Sequence, residues 1–311
     1  MPQSLPVFSR GLVAAPFTPL RQDHALNLDA IGPCAAALQR NRVTAAFVCG
    51  TTGEGALLTT DERKQVAARW MADKPATLGL IVHVGHNSLA ETQLLARHAE
   101  EQGADAIGAI APGFFQPATI DALVDWCAAV ASAAPTRPFY YYHMPAMSGA
   151  NFKMVDFLPR ATERIPTFAG IKFTHENLHD YSLTLAAASA SQGILFGRDE
   201  ILLSALVLGA QGAVGSTYNY MAPIFHRLID AFAAGNMVHA RQEQLHAQRL
   251  ISIMVAHGGL AAGKAMMGLI GLECGPVRMP LATLNAAQVS ALKADLGRAG
   301  FFEAIQTKSR P

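Results

Sequence analysis

Long apolar runs, charge and paired cysteines are all scarce in this 311-residue chain. The most apolar stretch, residues 201–210 (ILLSALVLGA), falls well short of the roughly 20 apolar residues that a membrane-spanning helix needs. No membrane partner is therefore expected, despite a mean hydropathy of +0.22. Charged residues make up only 15% of the chain, and 24 Lys plus Arg nearly balance 23 Asp plus Glu, giving a net charge of +1. Neither half carries a basic run, which argues against nucleic acid or an anionic membrane surface as a partner. The four cysteines (Cys34, Cys49, Cys127 and Cys274) include no CxxC pair, so free thiols in a reducing cytoplasm are expected. The N-terminus lacks a cationic start followed by an uninterrupted apolar core, so no signal peptide is expected. No repeat, low-complexity tract or linker interrupts the chain.

What is present is material for a core. Hydrophobic residues are 51% of the chain, too many for a disordered protein and enough for a large core. Eight short apolar runs punctuate the first 216 residues: 11–17, 45–50, 78–85, 106–112, 139–145, 168–173, 193–197 and 212–216. Each is continuous rather than alternating, as in parallel strands buried on both faces. Amphipathic stretches separate them. One opens at Thr59, where Thr59-Thr60-Asp61-Glu62 has the spacing of a capping box. Another runs from Ser88 to Gly103, a glycine suited to a helix C-terminus. The pattern predicts an α/β fold: a (β/α)8 TIM barrel over residues 8–222 that carries the active site. A doubly wound sheet, the competing fold, would place a GxGxxG turn after the first strand, and GLVAAPFTP lacks one. Residues 223–311 show no convincing strand and predict C-terminal helices packed on the barrel.

Of the seven lysines, Lys172 alone lies inside a predicted strand, Phe168-Ala169-Gly170-Ile171-Lys172-Phe173. Burying an ammonium is costly, so such a lysine needs a reason. One reading is a neutral amine, its pKa lowered by desolvation, that attacks a carbonyl to form a Schiff base. The other is a buried ion pair or a strand-end lysine that reaches solvent. Tyr140-Tyr141-Tyr142 ends the preceding strand, and neighbouring barrel strands place a tyrosine beside Lys172, where a phenol can shuttle protons. For Tyr140 and Tyr141 the simple preference of tyrosine for strands suffices. Gly50-Thr51-Thr52-Gly53-Glu54-Gly55 follows the second strand as a tight turn fit to seat a carboxylate, without the pattern of a phosphate loop. After the seventh strand comes Gly197-Arg198-Asp199-Glu200, and the eighth ends in Gly215-Ser216-Thr217-Tyr218-Asn219. Both fall where barrel enzymes keep their ligand groups. By position alone, Asp199 reads as the N-cap of a helix starting near Ile201. His83 and His86, three apart at a strand end, face opposite sides and do not make a metal pair, so no metal is expected. Met266 and Met267 read as helix-packing residues.

The ordered set GTTGEG, YYYHMPAMSG, GIKFT, FGRDE and GAVGSTYNYM resembles the N-acetylneuraminate lyases of the pyruvate-dependent class I aldolase superfamily, which also contains the dihydrodipicolinate synthases. The resemblance runs from about Gly11 to Pro280. It implies a barrel with C-terminal helices assembled as a homotetramer, and a sialic acid substrate that is cleaved to pyruvate and N-acetylmannosamine. Catalysis would go through a covalent Schiff base on Lys172, with no other cofactor. It makes Tyr142 the catalytic tyrosine and Thr51 and Thr52 the carboxylate-binding pair. Thr174 would position the reacting C4 hydroxyl, and Gly197, Asp199, Glu200 and Ser216 would read the substrate tail. On this basis Asp199 and Glu200 become site residues, and Asp199 can also cap. The synthases carry an arginine at the position of Met147 and a tyrosine relay where this chain reads Pro112-Gly113-Phe114-Phe115; both departures disfavour a synthase. Arg198 stands where an apolar or small residue is expected; it either points outward or reads an anionic modification of the sugar. Three alternatives stand beside the lyase: a sister aldolase or dehydratase acting on another 2-keto acid, a zinc-dependent class II aldolase, and a catalytically silent binding barrel.

Overall fold

A computed structural model describes residues 10–306. The N-terminal residues 1–9, read above as part of a start without a signal peptide, lie outside the described residues, as do the outer ends of the two expected segments (8–9 and 307–311). Every apolar run contains a strand: β1 Gly11–Ala14, β2 Ala45–Val48, β3 Gly79–His83, β4 Ala106–Ile110, β5 Phe139–His143, β6 Phe168–Phe173, β7 Gly193–Phe196 and β8 Gly212–Gly215. They close in sequence order into a barrel in which each strand pairs in parallel with the next, and β8 returns beside β1 with Gly11 opposite Gly212. Seven of the strands end one to three residues before the run that predicted them. Those surplus residues turn over the C-terminal rim, the end at which barrel enzymes do their chemistry.

Side chains alternate between two environments. Val13, Phe47, Ile81, Tyr140, Tyr142, Leu195 and Val214 point inward and pack with the small Ala45, Ala106 and Ala169. Their strand neighbours, among them Leu12, Val48, Ile107, Tyr141, Ile171 and Phe173, face the helical layer. Both faces of each strand are therefore covered, which is why the runs are continuously apolar.

The surrounding helices are α1 Ile31–Arg40, α2 Thr60–Asp73, α3 Leu89–Glu101, α4 Ile120–Ala131, the single turn α5 Pro145–Ser148, α6 Met154–Arg164, α7 Leu178–Ala187, α8 Leu202–Val207 and α9 Tyr218–Ala233. The capping box opens α2: the Thr59 hydroxyl accepts the Glu62 N–H at 3.2 Å, and the Glu62 carboxylate accepts the Thr59 N–H at 2.9 Å. Ser88 caps α3, and Gly103, at φ +81°, follows its end. Beyond β8 every element among the described residues is helical, continuing with α10 Met237–Ala256, α11 Leu260–Leu269, α12 Ala286–Arg298 and α13 Phe301–Ala304. The division expected between residues 222 and 223 falls inside α9, the helix that follows the eighth strand. Met266 and Met267 are buried in α11. No single helix among the described residues is long and apolar enough to cross a membrane.

Candidate active site

Lys172 of β6 sits directly opposite Tyr142 of β5. It is 4% exposed, with Nζ 3.9 Å from the centre of the Tyr142 ring and 4.2 Å from that of Phe47. Burial inside the barrel lowers the Lys172 pKa, while Tyr142 and, more weakly, Asp199 oppose that shift. A second lysine, Lys264 of α11, is equally buried but paired. Its Nζ donates to Glu54 Oε1 at 2.8 Å and to the Pro276 carbonyl at 2.6 Å. Lys172 belongs to none of the ion pairs among the described residues. Lys264 sits in a structural ion pair, whereas Lys172 faces Tyr142 with no ion-pair partner among the described residues.

Aromatic edges fix Tyr142. Phe47 and His83 meet its ring at 75° and 89°, with centroids 5.5 and 5.8 Å away. Its hydroxyl lies 3.3 Å from Thr51 Oγ1 and donates to Met144 Sδ. The His83 imidazole is buried and its pKa falls well below the usual value, first through burial and then through Arg63 and Lys172. Nδ1 lies 3.1 Å from the Cys49 carbonyl, and Nε2 accepts the Ile110 N–H at 3.3 Å, which fits one neutral tautomer with the proton on Nδ1. His86 lies beyond the end of β3, where its Nδ1 accepts the Ser88 N–H. Among the described residues no group of three His, Cys, Asp or Glu side chains is placed to hold a metal ion.

The turn after β2 is held from outside. Cys49 and Glu54 bracket it at φ +57° and +55°, a left-handed conformation that costs a non-glycine residue about 1–3 kcal/mol. The Glu54 and Gly55 N–H groups close it on the Thr51 and Gly50 carbonyls, and the Thr18 hydroxyl donates to Gly53 O at 2.6 Å. The buried Glu54 carboxylate takes Lys264 on one oxygen and the Arg278 N–H, at 2.7 Å, on the other. Arg278 in turn chelates Glu62, holding its carboxyl down at about 2.

At the opposite side of the rim, Asp199 does not cap its own helical turn. Its Oδ2 accepts both the N–H and the hydroxyl of Thr217, at 3.1 and 2.6 Å. Burial raises its pKa to about 6 against these bonds. Two glycines make room for the cluster. A Cβ on Gly197 would stand 2.0 Å from Thr174 Oγ1, and one on Gly215 would stand 1.8 Å from Asp199 Oδ1. The Thr174 hydroxyl is buried and has no hydrogen-bond partner among the described residues. Arg198 pairs with Glu176.

All nine residues singled out in the sequence (Thr51, Thr52, Tyr142, Lys172, Thr174, Gly197, Asp199, Glu200 and Ser216) line one cavity of about 220 Å3. The sequence matches the dihydrodipicolinate synthetase family over residues 8–299. This chain belongs to that family. It is 41% identical to an N-acetylneuraminate lyase of Mus musculus over 304 residues, 96% of this chain and 95% of the relative. Identity to the N-acetylneuraminate lyase of Gallus gallus is 43% over 291 residues, covering 92% of this chain and 94% of the other. Among solved structures, the Proteus mirabilis N-acetylneuraminate lyase superposes with a TM-score of 0.91 at 40% identity, covering 94% of this chain and 99% of that one.

Within this family fold, sequence reasoning missed the wall that the C-terminal helices contribute. Ile251 and Met254 of α10 and Leu260 and Gly263 of α11 line the same cavity, together with Met144 and Arg198. It also missed Lys264, whose helical setting looked ordinary. The available signal was a lone charge within the apolar run LAAGKAMMGL.

Proposed function

We propose that this chain is a class I aldolase that reversibly cleaves N-acetylneuraminate to N-acetylmannosamine and pyruvate. The observation that carries the proposal is the buried Lys172 amine, outside every ion pair among the described residues and set against Tyr142 at the mouth of the barrel. The neutral amine attacks the C2 ketone of the open-chain substrate, water leaves, and an iminium forms. Thr51 and Thr52 hold the neighbouring carboxylate, and Thr51 also steadies the Tyr142 hydroxyl. The C4 hydroxyl gives up its proton, with Tyr142 and Thr174 involved. The C3–C4 bond then breaks, and its electron pair moves into the iminium to leave an enamine. Protonation at C3 and hydrolysis release pyruvate and regenerate Lys172. The iminium nitrogen is the electron sink, so the reaction calls for no metal or organic cofactor. Asp199, Glu200, Ser216 and Gly197 form the end of the cavity that takes the sugar tail. Met147 and Phe114-Phe115, in place of an arginine and a tyrosine, favour the lyase over a synthase.

Two further readings accompany this one. Exposed apolar side chains at Phe114 (80%), Phe115 (83%) and Met147 (61%) support contacts between copies, in keeping with a homotetramer, which light scattering tests. Four free, buried thiols support a cytoplasmic setting.

The deciding experiment combines pyruvate, borohydride and mass spectrometry. Reduction should trap one pyruvyl adduct on Lys172, and the untreated enzyme should release pyruvate from N-acetylneuraminate without added metal. An adduct on another lysine, or none, overturns the mechanism. An adduct on Lys172 without sugar cleavage leaves the mechanism and overturns the substrate.

A further inference from the structure

The backbone carrying Asp199 and Glu200 has no local cap. Neither the 3-10 turn Asp199–Ile201 nor α8 is closed by a side chain at its own N-terminus. Beyond the turn's own bond from the Leu202 N–H to the Asp199 carbonyl, further polar groups are met by α10, more than forty residues later. Gln244, buried, accepts the Leu203 N–H on Oε1 at 2.8 Å and donates Nε2 to the Asp199 carbonyl at 3.2 Å. One turn on, Gln248 donates Nε2 to the Glu200 carbonyl at 2.7 Å. The next turns of the same helix bring Ile251 and Met254 to the cavity wall. Spacing of 244, 248 and 251 puts these groups on one helix face.

We propose that Gln244 and Gln248 are positioning residues that set selectivity for a polyhydroxylated substrate tail, by fixing the backbone from which Asp199 and Glu200 project. The inference rests on the lyase reading above. Neither glutamine bonds to the pyruvyl end, where Lys172 and Tyr142 lie on β6 and β5 and Thr51 and Thr52 in the turn after β2. The glutamines act on the backbone at the tail end of the pocket, so selectivity between a long sugar and a short aldehyde can be lost without losing imine chemistry.

The test runs the reaction in the condensation direction with pyruvate and either N-acetylmannosamine or glyceraldehyde. Gln248→Met keeps the bulk and removes the donor. One lost hydrogen bond predicts a fall of about three- to ten-fold in kcat/KM for N-acetylmannosamine relative to glyceraldehyde. Borohydride trapping of pyruvate on Lys172 should stay at the wild-type level. Gln248→Lys restores a donor and should restore the ratio, whereas Gln248→Glu offers none and should not. Gln244→Met should shift the ratio in the same direction; if it does not fold, the half-buried Gln248 series carries the test alone. A merely structural role would lower thermal stability and both aldehydes together. An unchanged ratio in Gln248→Met, in an enzyme whose wild type makes the sugar, overturns the inference and leaves the lyase reading standing. A wild type that traps pyruvate but ignores N-acetylmannosamine overturns both.

Discussion

Asp199 offers a test in which stability and function should move in opposite directions. Its carboxyl is 5% exposed and has a pKa of about 6, against an ordinary value of 3.8. That gap, at 1.36 kcal/mol per unit, makes the ionised side chain cost the fold about 3 kcal/mol. The direction follows from the raised pKa. The penalty is absent below pH 3.8, grows as pH rises through about 6, and is complete above that. Asn has the same shape and does not titrate, and its carbonyl oxygen can still accept both bonds from Thr217. Asp199→Asn should therefore gain stability over wild type by an amount that is about 2 kcal/mol larger at pH 8 than at pH 4. In melting temperature this is a difference of about 3 °C, read by calorimetry at the two pH values. Losing a charge-assisted bond to a sugar hydroxyl, about 1.5–3 kcal/mol, should at the same time lower kcat/KM for N-acetylneuraminate by roughly one to two decades. Because Asp199 helps hold Lys172 protonated, pyruvate trapping should persist in the variant and shift toward lower pH. A variant whose stability relative to wild type is independent of pH would refute the electrostatic reasoning. Full sugar cleavage would refute the tail assignment.

Tyr142→Phe keeps the ring between Phe47 and His83 and removes the proton-transfer group, so kcat should fall by about 10²–10⁴-fold; near-normal turnover would reduce Tyr142 to packing. Lys264→Met strands the buried Glu54 carboxylate and should cost about 3–5 kcal/mol in urea unfolding, most of it recovered when Glu54→Gln is added. Failure of the second change to recover stability would show that the pair is not the reason for the loss. Glu62, held at about 2 by Arg278, contributes stability that is complete above its ordinary carboxylate value and lost as pH falls toward 2. Wild type and Glu62→Gln should accordingly converge in denaturant midpoint under strong acid.

The barrel was legible because burial on both faces writes a strand as an unbroken apolar run, and eight such runs leave little else to build. The meeting of Tyr142 and Lys172 was legible too, since consecutive strands of a barrel are neighbours. Asp199 was less so. An acidic residue before the apolar run at Ile201 has the local grammar of a helix cap, yet its carboxylate crosses to Thr217 on the next strand's loop. The resemblance to known motifs, rather than the local pattern, brought Asp199 and Glu200 to the site. Gln244 and Gln248 had no comparable signal, and Glu54 and Lys264, though placed in a motif and in an apolar run, had none that joined them. Each is bonded to a partner 41 to 210 residues away, and no periodicity along the chain encodes such a pairing.

The closure of β1 on β8 has a consequence for how the protein is made. Gly11 pairs with Gly212, and Glu54 meets Lys264 across a separation of 210 residues. Ribosomes add about 5–20 residues per second, so roughly 10–40 s pass between synthesis of Glu54 and synthesis of its counter-ion. Until β8 has been made the nascent sheet has a free strand edge, and until Lys264 has been made the strained turn carries a carboxylate without its counter-ion. An unpaired edge is a template for association with other chains. Slowing elongation before β8 should therefore lengthen the vulnerable period and lower soluble yield, and the edge hazard should end once β8 has left the ribosome and paired with β1.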